Sequence, residues 1–144
     1  MLLVGHVDGP VALPQSVKFP QLADYPLMLP QMPNATRVQL ESICRRTGTT
    51  LNVPVELDTV QTILELILLK QGYGIVPESA VSTSPRRREL RAAHVQKPGL
   101  WSQIVLATPR QRPVTKLAAK TRELILGMDF PKLFVQGQAR QSRA

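Results

Sequence analysis

Residues 51–77 read LNVPVELDTVQTILELILLKQGYGIVP, and their pattern decides the fold. Leu51–Glu56 has the composition of a strand, with Pro54 removing a ladder donor and so pointing to an edge or a bulge. Asp58 followed by Gln61 resembles a capping box, in which the carboxylate takes early helix amides and Gln61 reaches back. A helix to about Lys70 follows, with Val60, Ile63, Leu64, Ile67 and Leu68 on one stripe and Leu66 and Leu69 widening it. Gly72 stops the helix. Tyr73–Val76 is then a short apolar strand ended by Pro77, with Glu78–Val81 as a helical turn beyond it. A strand, a well-covered helix and a strand in 27 residues form a unit of α/β sheet.

The same alternation extends outward. Leu27–Leu29 is an apolar run between Pro26 and Pro30, and Pro33 and Asn34 prepare a helix over Ala35–Thr47 that Gly48 terminates. Leu40, Ile43, Cys44 and Thr47 recur at helical spacing, which turns Cys44 toward the core as a small hydrophobe. Leu2–Val4 is a buried strand, after which Gly9, Pro10 and Pro14 suggest a crossing between lobes. A chain that starts within a strand points to an ancestor extending further upstream. On the other side, Leu90–Val95 and Gln103–Ala107 are strand candidates separated by the turn Lys97-Pro98-Gly99. A last helix starts near Pro113, with Val114, Leu117, Ala118, Thr121 and Leu124 or Ile125 on one face. Beyond Gly127 the pattern dissolves into a basic, poorly ordered tail. In an open α/β sheet of this kind, ligands bind beyond the carboxyl ends of strands and near helix N-termini.

Composition narrows the function. With 43% apolar and 19% charged residues the 144-residue chain is globular and large enough for one core, its 13 prolines marking loops. The formal charge of +8 is uneven: up to Ser84 there are five Lys/Arg against seven Asp/Glu, and from Pro85 onward thirteen against three. A lone cysteine excludes an internal disulfide and fits a reducing cytoplasm. Met1–Val4 lacks the cationic start and apolar length of a signal peptide, and no segment has the roughly 18 apolar residues of a membrane span.

Catalytic chemistry is missing. His6 and His94 have no Cys, Asp or Glu neighbours at metal-ligand spacing and read as surface or loop residues. Ser79 lacks the flanking glycines of a hydrolase nucleophile and reads as a helix cap. Gly72-Tyr73-Gly74 follows a helix and precedes a strand, the reverse of a dinucleotide fingerprint. Arg86–Arg88 reads as a solvated loop, and the few aromatics do not interleave with cations as a single-strand binder requires. No cofactor is expected.

Four segments in order and spacing resemble the effector-binding domain of LysR-type transcription regulators. They are Leu22-Ala23-Asp24-Tyr25-Pro26-Leu27-Met28-Leu29-Pro30; Leu51-Asn52-Val53 with Val55-Glu56-Leu57-Asp58; Gly72-Tyr73-Gly74-Ile75-Val76-Pro77-Glu78-Ser79-Ala80-Val81; and Ile104-Val105-Leu106-Ala107-Thr108 with Arg112-Pro113-Val114-Thr115. The resemblance covers about residues 2–126 and implies a two-lobed α/β fold of the type 2 periplasmic-binding-protein kind, second lobe complete and first lobe partial. Residues 1–25 are then a first-lobe remnant and crossover, 26–108 the second lobe, 109–127 the helix returning to the first lobe, and 128–144 the tail. The family's N-terminal helix-turn-helix has no counterpart here.

The resemblance also implies a binding wall: Gln31, Met32 and Asn34 in the loop after the proline-ended strand, Thr36 and Arg37 at the helix start, Asp58 and Thr59 at a strand end, and Tyr73, Gly74 and Pro77 along the next strand. An anionic small organic effector suits the amides near Asn34, with Thr36 and Arg37 in support. The plainer reading is that Asn34 and Asp58 cap helices and Arg37 is solvated. Homo-oligomers or pairing with intact regulators are the expected partners, with DNA reached only through the missing head and no membrane. The competing readings are a stand-alone solute-binding protein of the same fold, a non-functional regulator remnant, an enzyme on that fold, and direct nucleic-acid binding through the basic half, which salt would abolish.

Overall fold

The computed structural model describes residues 1–101, 105–108 and 114–129. They fall into two compact units, Met1–Ser102 and Gln103–Ala144. In the first, β1 (Leu2–His6), β2 (Ser16–Lys18), β3 (Leu27–Pro30), β4 (Val55–Leu57), β5 (Tyr73–Val76) and β6 (Leu90–Gln96) form one sheet in the order β2-β6-β1-β5-β3-β4. Strand β1 is antiparallel to both neighbours, β5 and β6; β2 runs parallel to β6, and β3 runs parallel to β4 and β5. Five strands therefore point the same way, with β1 alone reversed.

Residues 1–25, expected as a first-lobe remnant and crossover, contribute two strands to this sheet. Leu2–His6 is the central strand, buried at all five positions, and Ser16–Lys18 closes one edge of the same sheet. A strand buried on both faces reads as a continuous apolar run whatever its direction, so the pairing of Leu2–Val4 was invisible locally.

Both faces are covered. On one, Leu40 and Ile43 of α1 (Ala35–Thr47) pack with Leu3, Leu27, Leu29 and Phe19 and Leu22 of a 3-10 helix, Phe19–Asp24. On the other, Ile63, Leu64 and Ile67 of α2 (Val60–Leu68) pack with Leu2, Val4, Met28 and Val76. Burying those three α2 side chains contributes about 5–9 kcal/mol before chain entropy. The backbone leaves room for this contact at Gly74, where a Cβ would stand 2.5 Å from Ile63 Cγ2.

Helix α1 has the bounds its sequence signals require, Asn34 capping it and Gly48 ending it at φ 66. Other boundaries moved. Strand β4 starts only after Pro54 and lies at the sheet edge, where a missing donor is harmless. Thr59, not Asp58, caps α2, its hydroxyl accepting from Thr62 N. The helix ends at Leu68, and Leu69 is 63% exposed rather than widening the stripe. Pro77, not Ser79, occupies the cap position of the short α3 (Glu78–Ser82).

In the second unit, α4 (Lys116–Leu126) is capped by Thr115, which accepts from Ala118 N at 3.2 Å. The helix begins later than the Pro113 expectation, and Pro113 lies outside the described residues. Its Leu117, Leu124 and Leu126 are exposed. Of the expected strand Gln103–Ala107, residues 103 and 104 lie outside the described residues and Val105–Thr108 has no regular structure. The expected tail falls almost wholly outside them, from residue 130 onward.

Candidate functional site

The carboxyl ends of β3, β4 and β5 lie side by side, and each opens into a helix. After β3, Gln31 N donates to Leu57 O of the neighbouring strand end at 3.1 Å, and Asn34 N donates back to Gln31 O at 3.0 Å. The tight loop so formed aims Asn34 Oδ1 at Thr36 N, 2.9 Å away, capping α1. After β4, Asp58 leads to Thr59, which caps α2 from 3.1 Å. Each cap satisfies one amide, and the remaining early amides of each first turn have no intrahelical acceptor. Neither first turn carries an acidic residue, so the partial positive charge at the α1 end has no carboxylate in its first turn, whereas at α2 Asp58 stands one residue before the cap. The loop residues Gln31, Met32, Pro33 and Asn34, together with Asp58 and Thr59, are exposed or nearly so at this edge.

Because β1 is reversed, its start belongs to the same edge: Leu2 lies opposite Val76 on one side and His94 on the other. The Met1 amino group donates to Leu100 O at 3.2 Å; burial lowers its pKa, and Glu78 partly offsets that. Sequence reading missed Met1, His94 and the ends of β2 and β6, because only the sheet order brings them here.

Three residues of the expected wall behave differently. Tyr73 opens β5 at the opposite, amino end and is 1% exposed. Its hydroxyl accepts from Val11 N at 2.7 Å and donates to Val11 O at 2.6 Å, and its ring stacks edge-on against Tyr25 with centroids 5.0 Å apart. Gly74 is a packing residue beneath α2. Arg37 points along α1 rather than to its tip: Nε bonds Glu41 Oε1 at 2.8 Å, and Nη1 lies 2.8 Å from Glu56 Oε1, in ion-pair contact though out of line for a hydrogen bond. With its side chain 13% exposed and two carboxylates on it, Arg37 ties α1 to β4 and has little charge to offer a ligand. Thr36 and Pro77 do lie at the edge, with Gln31, Met32, Asn34, Asp58 and Thr59.

The amino end is closed. Gly5 allows the Tyr73 ring across β1, since a Cβ there would sit 2.5 Å from ring carbons. His6, expected at the surface, is 8% exposed; its Nδ1 accepts from Asp8 N at 3.0 Å, with Asp8 and Glu89 carboxylates each 3.9 Å from a ring nitrogen. Among the described residues no group of three or more His, Cys, Asp or Glu could hold a metal, and no helix is long and apolar enough to cross a membrane. Burial, and secondarily Glu41, pushes the Cys44 thiol up, which keeps it protonated and unreactive.

A sheet of parallel strands with one reversed member, helices on both faces and helix N-termini gathered at the carboxyl edge is the periplasmic-binding-protein-like α/β fold. The model of the LysR substrate binding domain matches residues 1–128, and the chain belongs to that family. No curated protein matches it. Among solved structures it is similar to the effector-binding domain of QuiR in complex with shikimate, with a TM-score of 0.72 and 14% identity over 87% of this chain and 58% of that one. It is also similar to the regulatory domain of CcmR from Synechocystis PCC6803 in complex with 2-PG, with a TM-score of 0.68 and 14% identity over 87% of this chain and 60% of that one. HinK, a LysR family regulator from Pseudomonas aeruginosa, has a TM-score of 0.66 and 15% identity over 85% of this chain and 42% of that one. The chain thus spans three-fifths or less of the length of each.

Proposed function

We propose that this chain is the small-molecule sensing module of a cytoplasmic LysR-type transcription regulator, that it does no chemistry on what it binds, and that its effector is a small organic anion held at the carboxyl edge. The observation that carries the reading is the family match over residues 1–128, on a fold whose two exposed helix starts, with no acidic residue in either first turn, lie at that edge. Gln31, Asn34, Thr36, Asp58, Thr59 and Pro77 are the residues assigned to it. DNA is reached through a separate helix-turn-helix head and not through this chain's own cations. The Met1–Ser102 unit is read as one lobe, including β1, and residues 109–127 as the segment leading back to the other lobe.

A thermal melt of the 144-residue chain with a panel of aromatic and aliphatic carboxylates tests this. An effector at about 100 times its dissociation constant adds roughly 2.7 kcal/mol, a rise in Tm on the order of 5–10 °C for a domain this size. A melt unmoved by every anion class, with a cooperative transition present, contradicts the reading.

A further inference from the structure

Between α1 and the turn that follows β6 lies a groove of about 610 Å³, in the size range of small-molecule sites, roughly 300–1,000 Å³. Val38 and Ile43 of α1 form one wall, and Pro98 and Trp101 belong to the other. Trp101 is the chain's only tryptophan, and it is 81% exposed, although an indole ordinarily buries most of its surface. It is not hanging free: a Cβ on Gly99 would meet its Nε1 at 3.7 Å, so the ring lies against the turn. At the far end of the helix stretch, Ser42 and Arg46 add polar groups. Arg37 and Arg86 each hold a glutamate, whereas Arg46 makes no ion pair among the described residues. Ala35, the first residue of α1, borders the groove, but none of Gln31, Asp58, Thr59 or Pro77 lines it.

A flat, exposed indole facing aliphatic side chains, with an uncommitted guanidinium in the same groove, matches a planar ring that carries an anion. The ring gains stacking on Trp101, and its carboxylate takes paired hydrogen bonds from Arg46. We propose that this groove is a second ligand site, separate from the carboxyl edge, for a small aromatic carboxylate. It goes beyond the effector reading, since it needs neither helix N-terminus.

Trp101 reports on the groove directly. Titrating the full chain with benzoate, exciting above the benzoate absorption band, should give a saturable change in Trp101 emission. Arg46→Gln, an exposed substitution, should weaken the apparent affinity at least tenfold, and Val38→Lys should abolish the response with the melt unchanged. Benzyl alcohol, equal in ring and lacking the charge, should give no saturable change. Three outcomes overturn the proposal: linear, non-saturating quenching; an unchanged curve in Arg46→Gln; or emission that follows protein concentration alone, meaning a second copy covers the indole. Amide exchange at residues 57–62, none of which lines the groove, reads the other site, so an emission response without protection there fails the effector reading only, and protection there without an emission response fails this one only.

Discussion

The two ends of one sheet are built for opposite purposes. At the amino end, Tyr73 lies under Gly5 and Gly9 with its hydroxyl committed to both backbone groups of Val11, and His6 is enclosed beside Asp8 and Glu89. At the carboxyl end, two helices begin with polar caps and exposed loops and carry no acidic residue in their first turns, Asp58 just before the α2 cap being the nearest carboxylate. Buried polar groups at the first end are satisfied within the chain, whereas the polar residues at the second are exposed. The contrast predicts that substitutions at the amino end change stability and those at the carboxyl end change ligand response.

The largest effect should come from Tyr73. Tyr73→Ala removes a fully buried ring and is expected to destabilise by about 3–5 kcal/mol. Tyr73→Phe keeps the ring but leaves the Val11 amide and carbonyl unpaired, for about 1–3 kcal/mol; both are read by urea unfolding. If Tyr73→Phe were neutral in stability and weakened effector binding, Tyr73 would belong to the site and the contrast would fail.

A smaller pair of effects separates cap from neighbour at the other end. Thr59→Ala should cost about 1 kcal/mol through the lost α2 cap, while Asp58→Ala should stay within about 0.5 kcal/mol, as expected of an exposed residue without a structural bond. The reverse order would restore Asp58 as the cap.

How much of this was legible in the sequence depended on whether the signal was local. The bounds of α1 and β5 were, because Asn34, Gly48, Gly72 and Pro77 each impose a backbone state where they stand. The Asp58 cap was misread because Asp58 and Thr59 are both good caps one residue apart, and only the chain path out of β4 chooses between them. The arrangement of the site was harder still. Tyr73 opens β5 and Pro77 stands just past its end, so residues four apart belong to opposite ends of the sheet, and which end is the site follows from strand direction. The placement of Leu2–His6 between β5 and β6 depends on partners 70 or more residues away, which no periodicity encodes. Arg37 looked available at a helix start until the fold brought Glu56 to it.

The most direct test of the central claim is amide hydrogen exchange on the full chain with and without whichever anion raises its melting temperature. Protection confined to peptides covering residues 30–37 and 57–62, with residues 5–13 unchanged, is the predicted result. Protection at residues 5–13, or spread evenly over the sheet with no excess at the two helix starts, would contradict an effector site at the carboxyl edge.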